Sequence, residues 1–130
     1  MARKAITSAK ISSAGPYSHG IDADGLVFLS GQTPLDPDTG KIKEGGIKVQ
    51  TQQCFDNSFR ILETAGLSSD DVQKVNVYLT DMGDFSAMNE VYKTNFSEPY
   101  PARTTIGVMA LPLGAQIEIE MTAKKSTTPP

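Results

Sequence analysis

The sequence predicts an α+β fold in which a mixed β-sheet carries two helices on one face. Three features predict it. Val72 to Thr80 alternates apolar and polar residues as a half-buried strand does. Two segments, residues 47–65 and 85–96, repeat apolar residues at three- and four-residue spacing, as amphipathic helices do. Further strand-like runs lie before, between and after these helices, so strands and helices interleave.

Residues 3–13 are polar and mixed, with Ala5 and Ile6 as a short edge strand, and Gly15-Pro16-Tyr17 breaks the chain before an extended segment. Leu26 to Ser30 reads as a strand closed by Gly31. Asp36-Pro37-Asp38-Thr39-Gly40 is dense in turn residues. The first helix carries Ile47, Cys54, Phe55, Ile61 and Leu62, and Gly66 stands where a left-handed C-terminal cap belongs. Ser68 or Ser69 with Asp70 and Asp71 reads as a short capped turn. The second helix carries Phe85, Met88, Val91, Tyr92 and Phe96, with Asp84 as its candidate cap and Pro99 and Pro101 beyond its end.

Arg103 to Met109 and Gln116 to Ala123 are two further strands, joined by the turn Leu111-Pro112-Leu113-Gly114. A regular hairpin there sets Arg103 nearer Thr122 than Glu118. Residues 124–130 lack periodicity and read as a loose tail. No repeat or linker appears, so residues 1–130 read as one domain.

The period of two assigns Ile106, Val108, Ile117, Ile119 and Met121 to the helix-covered face of the sheet. Arg103, Thr105, Glu118, Glu120, Thr122, Asn76 and Tyr78 then fall on the opposite face, which no helix is left to cover. That face is either solvated or pressed against another subunit.

Composition excludes several classes. No apolar run approaches the ~20 residues of a membrane span. The start MARKAITSAK lacks the apolar core of a secretory signal, and one cysteine forms no internal disulfide framework. Both point to the cytoplasm. Net charge is −3, and no Lys/Arg cluster exceeds a pair, so a nucleic-acid partner is unfavoured and small molecules or proteins are favoured.

The residues that bear chemistry are few. One His and one Cys cannot assemble a zinc-type ligand set. His19 lies in a Tyr17-Ser18-His19-Gly20 loop without a nucleophile elbow. Cys54 sits mid-helix, where a small buried apolar role fits better than a nucleophile. Gly45-Gly46 lacks the spacing and lysine of a phosphate loop. Arg103 and Glu118 remain. They are either an ordinary cross-strand ion pair or a carboxylate-binding fork with a glutamate that positions water.

The motifs themselves resemble a known family. Gly15-Pro16-Tyr17-Ser18 with Phe28-Leu29-Ser30-Gly31-Gln32 is similar to the N-terminal pattern of the RidA (YjgF-type) family. Asn76 to Asp81, Phe85 and Asn89-Glu90-Val91-Tyr92 resemble its middle. Tyr100-Pro101-Ala102-Arg103-Thr104-Thr105, Leu111-Pro112 and Ile117-Glu118-Ile119-Glu120 resemble its C-terminal part. The pieces follow in order at matching separations over residues 13–123.

The resemblance implies a chorismate-mutase-like (ferredoxin-like) fold and a homotrimer with three clefts between subunits. It implies hydrolysis of reactive 2-imino acids such as 2-iminobutanoate and 2-iminopropanoate, or their enamine tautomers, to 2-oxo acids and ammonia without a cofactor or metal. In this reading Arg103 clamps the substrate carboxylate and Glu118 positions the water. Tyr17, Ser30, Gly31 and Asn89 shape the pocket, and Thr105 contributes its backbone near the imine nitrogen. Many relatives carry cysteine where this chain has Thr105. A non-catalytic trimer that senses 2-oxo acids, and a translation-inhibiting ribonuclease, are the alternative expectations.

Overall fold

Helix and sheet meet along one apolar seam. In the computed structural model, which describes residues 2–11 and 15–126, that seam joins Val75, Val77, Leu79, Ile117 and Ile119 of the sheet to Phe55, Ile61, Leu62 and Met88 of two helices, all fully buried. Residues 12–14 and 127–130, and with them the end of the polar N-terminal stretch and most of the expected loose tail, lie outside the described residues.

The strands are β1 (Ala5–Ile6), β2 (Gly20–Ala23), β3 (Leu26–Leu29), β4 (Leu35–Asp36), β5 (Lys41–Ile42), β6 (Val72–Leu79), β7 (Ala102–Gly107) and β8 (Ile117–Lys124). The helices are α1 (Ile47–Thr64) and α2 (Phe85–Asn95). Six strands form one mixed sheet in the order β1-β2-β3-β8-β6-β7, and β4 and β5 form a separate two-stranded ribbon. The α+β reading and both helices therefore stand.

Local chemistry accounts for the boundaries. Gly66, at φ +76°, closes α1 as the left-handed cap, with the amide of Leu67 donating to the Leu62 carbonyl at 2.9 Å. The Ser68 turn forms a reciprocal capping box with Asp71. The buried polar residues of α1 tie it to its surroundings. Asn57 donates to the Leu35 carbonyl at 2.9 Å, and Gln50 accepts from the Gln116 amide at 2.9 Å. Asp84 makes no capping bond; Asp81, three residues earlier, accepts from the Gly83 amide at 2.8 Å.

Three expectations are corrected. First, a strand absent from the sequence reading, β2, pairs with β3 through a tight Asp24-Gly25 turn in which both residues have positive φ. Second, β7 and β8 form no hairpin. β6 lies between them, antiparallel to β8 and parallel to β7, because α2 carries the chain back across the sheet before β7 begins. Third, the parallel register sets Arg103 opposite Val75 and Thr105 opposite Val77, so Arg103 and Thr105 face the helices. Ile106, placed inward by its apolar character, faces outward and is 45% exposed. The last strand also runs to Lys124, and Lys125 is held by Asp22 at 2.7 Å and by its amide on the Gly25 carbonyl.

Candidate active site

Two groups of predicted residues form, one on each face of the sheet. The first is built by β7 and α2. Phe85, Asn89 and Tyr92 fall at helical spacing on one stripe of α2, and Arg103 reaches that stripe from the edge strand. Its guanidinium lies over the Tyr92 ring at 4.6 Å and beside the Phe85 ring at 5.5 Å. One guanidinium nitrogen donates to the Asn89 side-chain oxygen at 2.7 Å. Stacking and amide together fix the plane of the fork. Asn89 accepts one of five N–H donors, so a bidentate pair is left for an anion.

Among the described residues Arg103 makes no ion pair, which removes the cross-strand pairing with Glu118. Beside it lies a cavity of about 520 Å³ lined by Asn89, Tyr92, Lys93, Tyr100, Pro101 and Arg103. Burial pushes the Tyr92 hydroxyl above its ordinary pKa, while the Arg103 charge opposes the shift. Thr105 stands two residues along the same strand, and its buried hydroxyl has no hydrogen-bond partner among the described residues.

The second group lies on the uncovered face. The backbones of Gln32 and Ile119 exchange two hydrogen bonds, at 2.8 and 3.1 Å, and so bring the end of β3 against β8. Gly31 then packs directly on Glu118, and a Cβ at that position would collide with the carboxylate. The Ser30 hydroxyl donates to the Ser18 carbonyl at 2.6 Å. Tyr17 and Ser30 line one cavity of about 430 Å³, and Tyr17 and Gly31 line a smaller one of about 40 Å³. Burial first, and the neighbouring Glu120 second, raise the pKa of Glu118 above the usual carboxylate value.

Glu120 itself accepts hydrogen bonds from Asn76 and Tyr78. The bond to Glu120 is the main reason that the Tyr78 hydroxyl is pushed up to about 12. Cys54 donates to the Ile117 carbonyl at 3.8 Å, and burial raises its thiol pKa well above normal, the state of an inert thiol. Among the described residues no cluster of three His, Cys, Asp or Glu side chains could hold a metal.

A single chain does not bring the two groups together. Glu118 is opposite Tyr78 and Arg103 opposite Val75, so they lie on different faces. Two strand spacings and three residues of rise separate them by roughly 14 Å between Cα atoms. Sequence reasoning missed Tyr92, Phe85 and Lys93 as neighbours of Arg103. The helical spacing of Phe85, Asn89 and Tyr92 held the signal, but only the parallel β6–β7 register shows that Arg103 meets that stripe.

A sheet with two helices on one face and a buttressed arginine at its edge defines a class of small α+β proteins, and comparison with known proteins identifies the family. Residues 7–125 match the family model described as Endoribonuclease L-PSP. A RutC family protein of Pyrococcus horikoshii is 52% identical over 85% of this chain and 88% of its own. The mouse protein named 2-iminobutanoate/2-iminopropanoate deaminase is 42% identical over 93% of this chain and 90% of its own. The crystal structure of RidA from an Antarctic Psychrobacter superposes with a TM-score of 0.89 at 45% identity, covering 94% of this chain and 99% of that one. The chain belongs to this family, that of the RidA (YjgF-type) proteins.

Proposed function

We propose that the protein hydrolyses 2-imino acids and their enamine tautomers, including 2-iminobutanoate and 2-iminopropanoate, to 2-oxo acids and ammonia. The observation that carries this reading is the Arg103 guanidinium, fixed by Asn89 and Tyr92 beside an open cavity and, among the described residues, without an ion pair. It is a preformed clamp for a carboxylate. The mouse relative's name agrees with it.

The chemistry suits so sparse a site. Water adds to the electrophilic imine carbon, its oxygen becomes the oxo group, the C–N bond breaks, and nitrogen leaves as ammonia. The protein must hold the acid, keep the nitrogen protonated and place one water, which is orientation with general base assistance. Glu118 takes the base role, with Ser30, Gly31 and Tyr17 shaping its surroundings and the Thr105 backbone facing the imine nitrogen. No cofactor takes part.

Arg103 and Glu118 lie on opposite faces of one sheet, so a site that uses both needs a second chain. We infer a homotrimer in which the Arg103 group of one subunit meets the Glu118 group of the next. Among the described residues no helix is long and apolar enough to cross a membrane, and the cytoplasm is the compartment we assign.

The test generates 2-iminobutanoate in situ from threonine with a dehydratase. Wild-type protein should accelerate the appearance of 2-oxobutanoate, and Arg103→Ala should abolish the acceleration. No acceleration, alongside measurable 2-oxobutanoate binding, would identify a metabolite sensor instead. The family description also suggests RNA cleavage, which a chain of net charge −3 without basic clusters serves poorly. RNA cleavage that survives Arg103→Ala would establish that separate chemistry.

A further inference from the structure

Asn89 and Lys93 are four residues apart on α2, so they share a face and are separated by about 6 Å along the helix axis. Both line the Arg103 cavity. Its wall therefore holds two cations, one amide, two tyrosines and a proline, and no acid. Glu90, on the same helix, forms its ion pair with Lys48 and feels the Lys93 charge only at longer range, and among the described residues Lys93 has no ion pair of its own. An acidic protein has thus set an exposed lysine at the rim of the recess that holds Arg103. Like charges there repel, and a ligand with two separated negative groups relieves both at once. A monocarboxylate would engage Arg103 and leave Lys93 beside the apolar rings of Tyr100 and Tyr92.

We propose that Lys93 forms a second anion subsite next to Arg103, so that the cavity favours 2-imino acids whose side chain ends in a second carboxylate. The proposal rests on the imine-hydrolase reading and names its preferred substrate class. The 2-carboxylate sits on the Arg103 fork. The distal carboxylate sits at the Lys93 ammonium, whose residue lies one helical turn from Asn89, the partner of Arg103, so that a four- or five-carbon diacid is the substrate size we assign. The apolar wall of Tyr100 and Pro101 covers the methylene groups between them. Lys93 acts on substrate choice and takes no part in bond breaking.

The experiment releases imino acids from glutamate and from leucine with an amino-acid oxidase and follows the appearance of the two 2-oxo acids. In the wild type, kcat/KM for the diacid should exceed that for the monoacid. Lys93→Ala should lower this ratio roughly fivefold, as loss of one partly exposed charge contact does, and Lys93→Arg should restore most of it. A ratio that Lys93→Ala leaves unchanged overturns the proposal. Calorimetric binding of 2-oxoglutarate and 2-oxobutanoate to the same variants separates the two levels of inference. If neither imine is turned over but 2-oxoglutarate binds more tightly in a Lys93-dependent way, the hydrolase reading fails and the subsite stands. If both imines are turned over without preference, the subsite fails and the hydrolase reading stands.

Discussion

The hydroxyl of Thr105 is buried and, among the described residues, has no hydrogen-bond partner, a state that costs about 1–3 kcal/mol. Valine has the same shape without the polar group. Thr105→Val should therefore raise stability by about 1 kcal/mol, visible as a higher melting temperature by calorimetry. Imine hydrolysis should persist, since only the backbone at this position is assigned to the substrate. A lower melting temperature would show that the hydroxyl has a partner in the assembled protein. Retained stability with lost turnover would show that it touches substrate.

Glu118 permits a second prediction at this scale. Its pKa is raised, by burial first and by Glu120 second, so the folded chain holds this proton more tightly than the unfolded chain. The stability linked to the protonated form is present at low pH and is lost as pH rises from the ordinary Glu value of about 4.3 through the folded value. Glu118→Gln does not titrate. The variant and the wild type should show similar urea midpoints near pH 4 and diverge at neutral pH, with the variant the more stable and its turnover slowed by ~10²–10⁴-fold. A variant less stable than wild type at neutral pH would reveal a favourable partner for the carboxylate.

At the scale of elements, the legible parts were those with long periodicity or strong punctuation. α1, α2, β6 and β8 followed from spacing, and Gly66 marked the end of α1. The strand β2 was hidden because its four residues, Gly20 to Ala23, alternate weakly, although Asp24-Gly25 is a strong hairpin signal. The facing of β7 was misread for a different reason. Periodicity shows that alternate residues share a face, and the apolar pair Ile106 and Val108 predicts the wrong one to be inner. On this edge strand, pairing decides it, and the inner position goes to an arginine that stacks on Tyr92. The family motifs single out Arg103 and Glu118, yet their separation across the sheet follows only from strand order. The hairpin itself can be tested. Gly25 has φ +96° with nothing within 4 Å of an added Cβ, so Gly25→Ala meets conformational strain and no steric clash. It should destabilise the β2–β3 turn by about 1 kcal/mol in urea unfolding. An unchanged midpoint would mean that the turn relaxes to another type.

At the scale of the whole molecule, the sheet separates the two residues that the proposed reaction needs together. The Arg103 guanidinium lies under α2 at the edge strand, and Glu118 lies on the uncovered face beside Gly31. A cyclic trimer with head-to-tail contacts would reunite them, each site taking its arginine from one subunit and its glutamate from the next. This arrangement makes a quantitative prediction about mixtures. Arg103→Ala and Glu118→Ala homotrimers should each be nearly inactive. Refolded or co-expressed together, they form mixed rings, and every mixed ring of three has one junction at which an intact Arg103 meets an intact Glu118. With equal amounts and random assembly, about a quarter of all sites are restored, so imine hydrolysis should recover to about a quarter of the wild-type rate. Mass measurement in solution should show a trimer throughout. Mixed trimers without recovered activity would place the two residues in separate functions, and a monomeric wild type that hydrolyses imines would remove the need for Glu118 in the site.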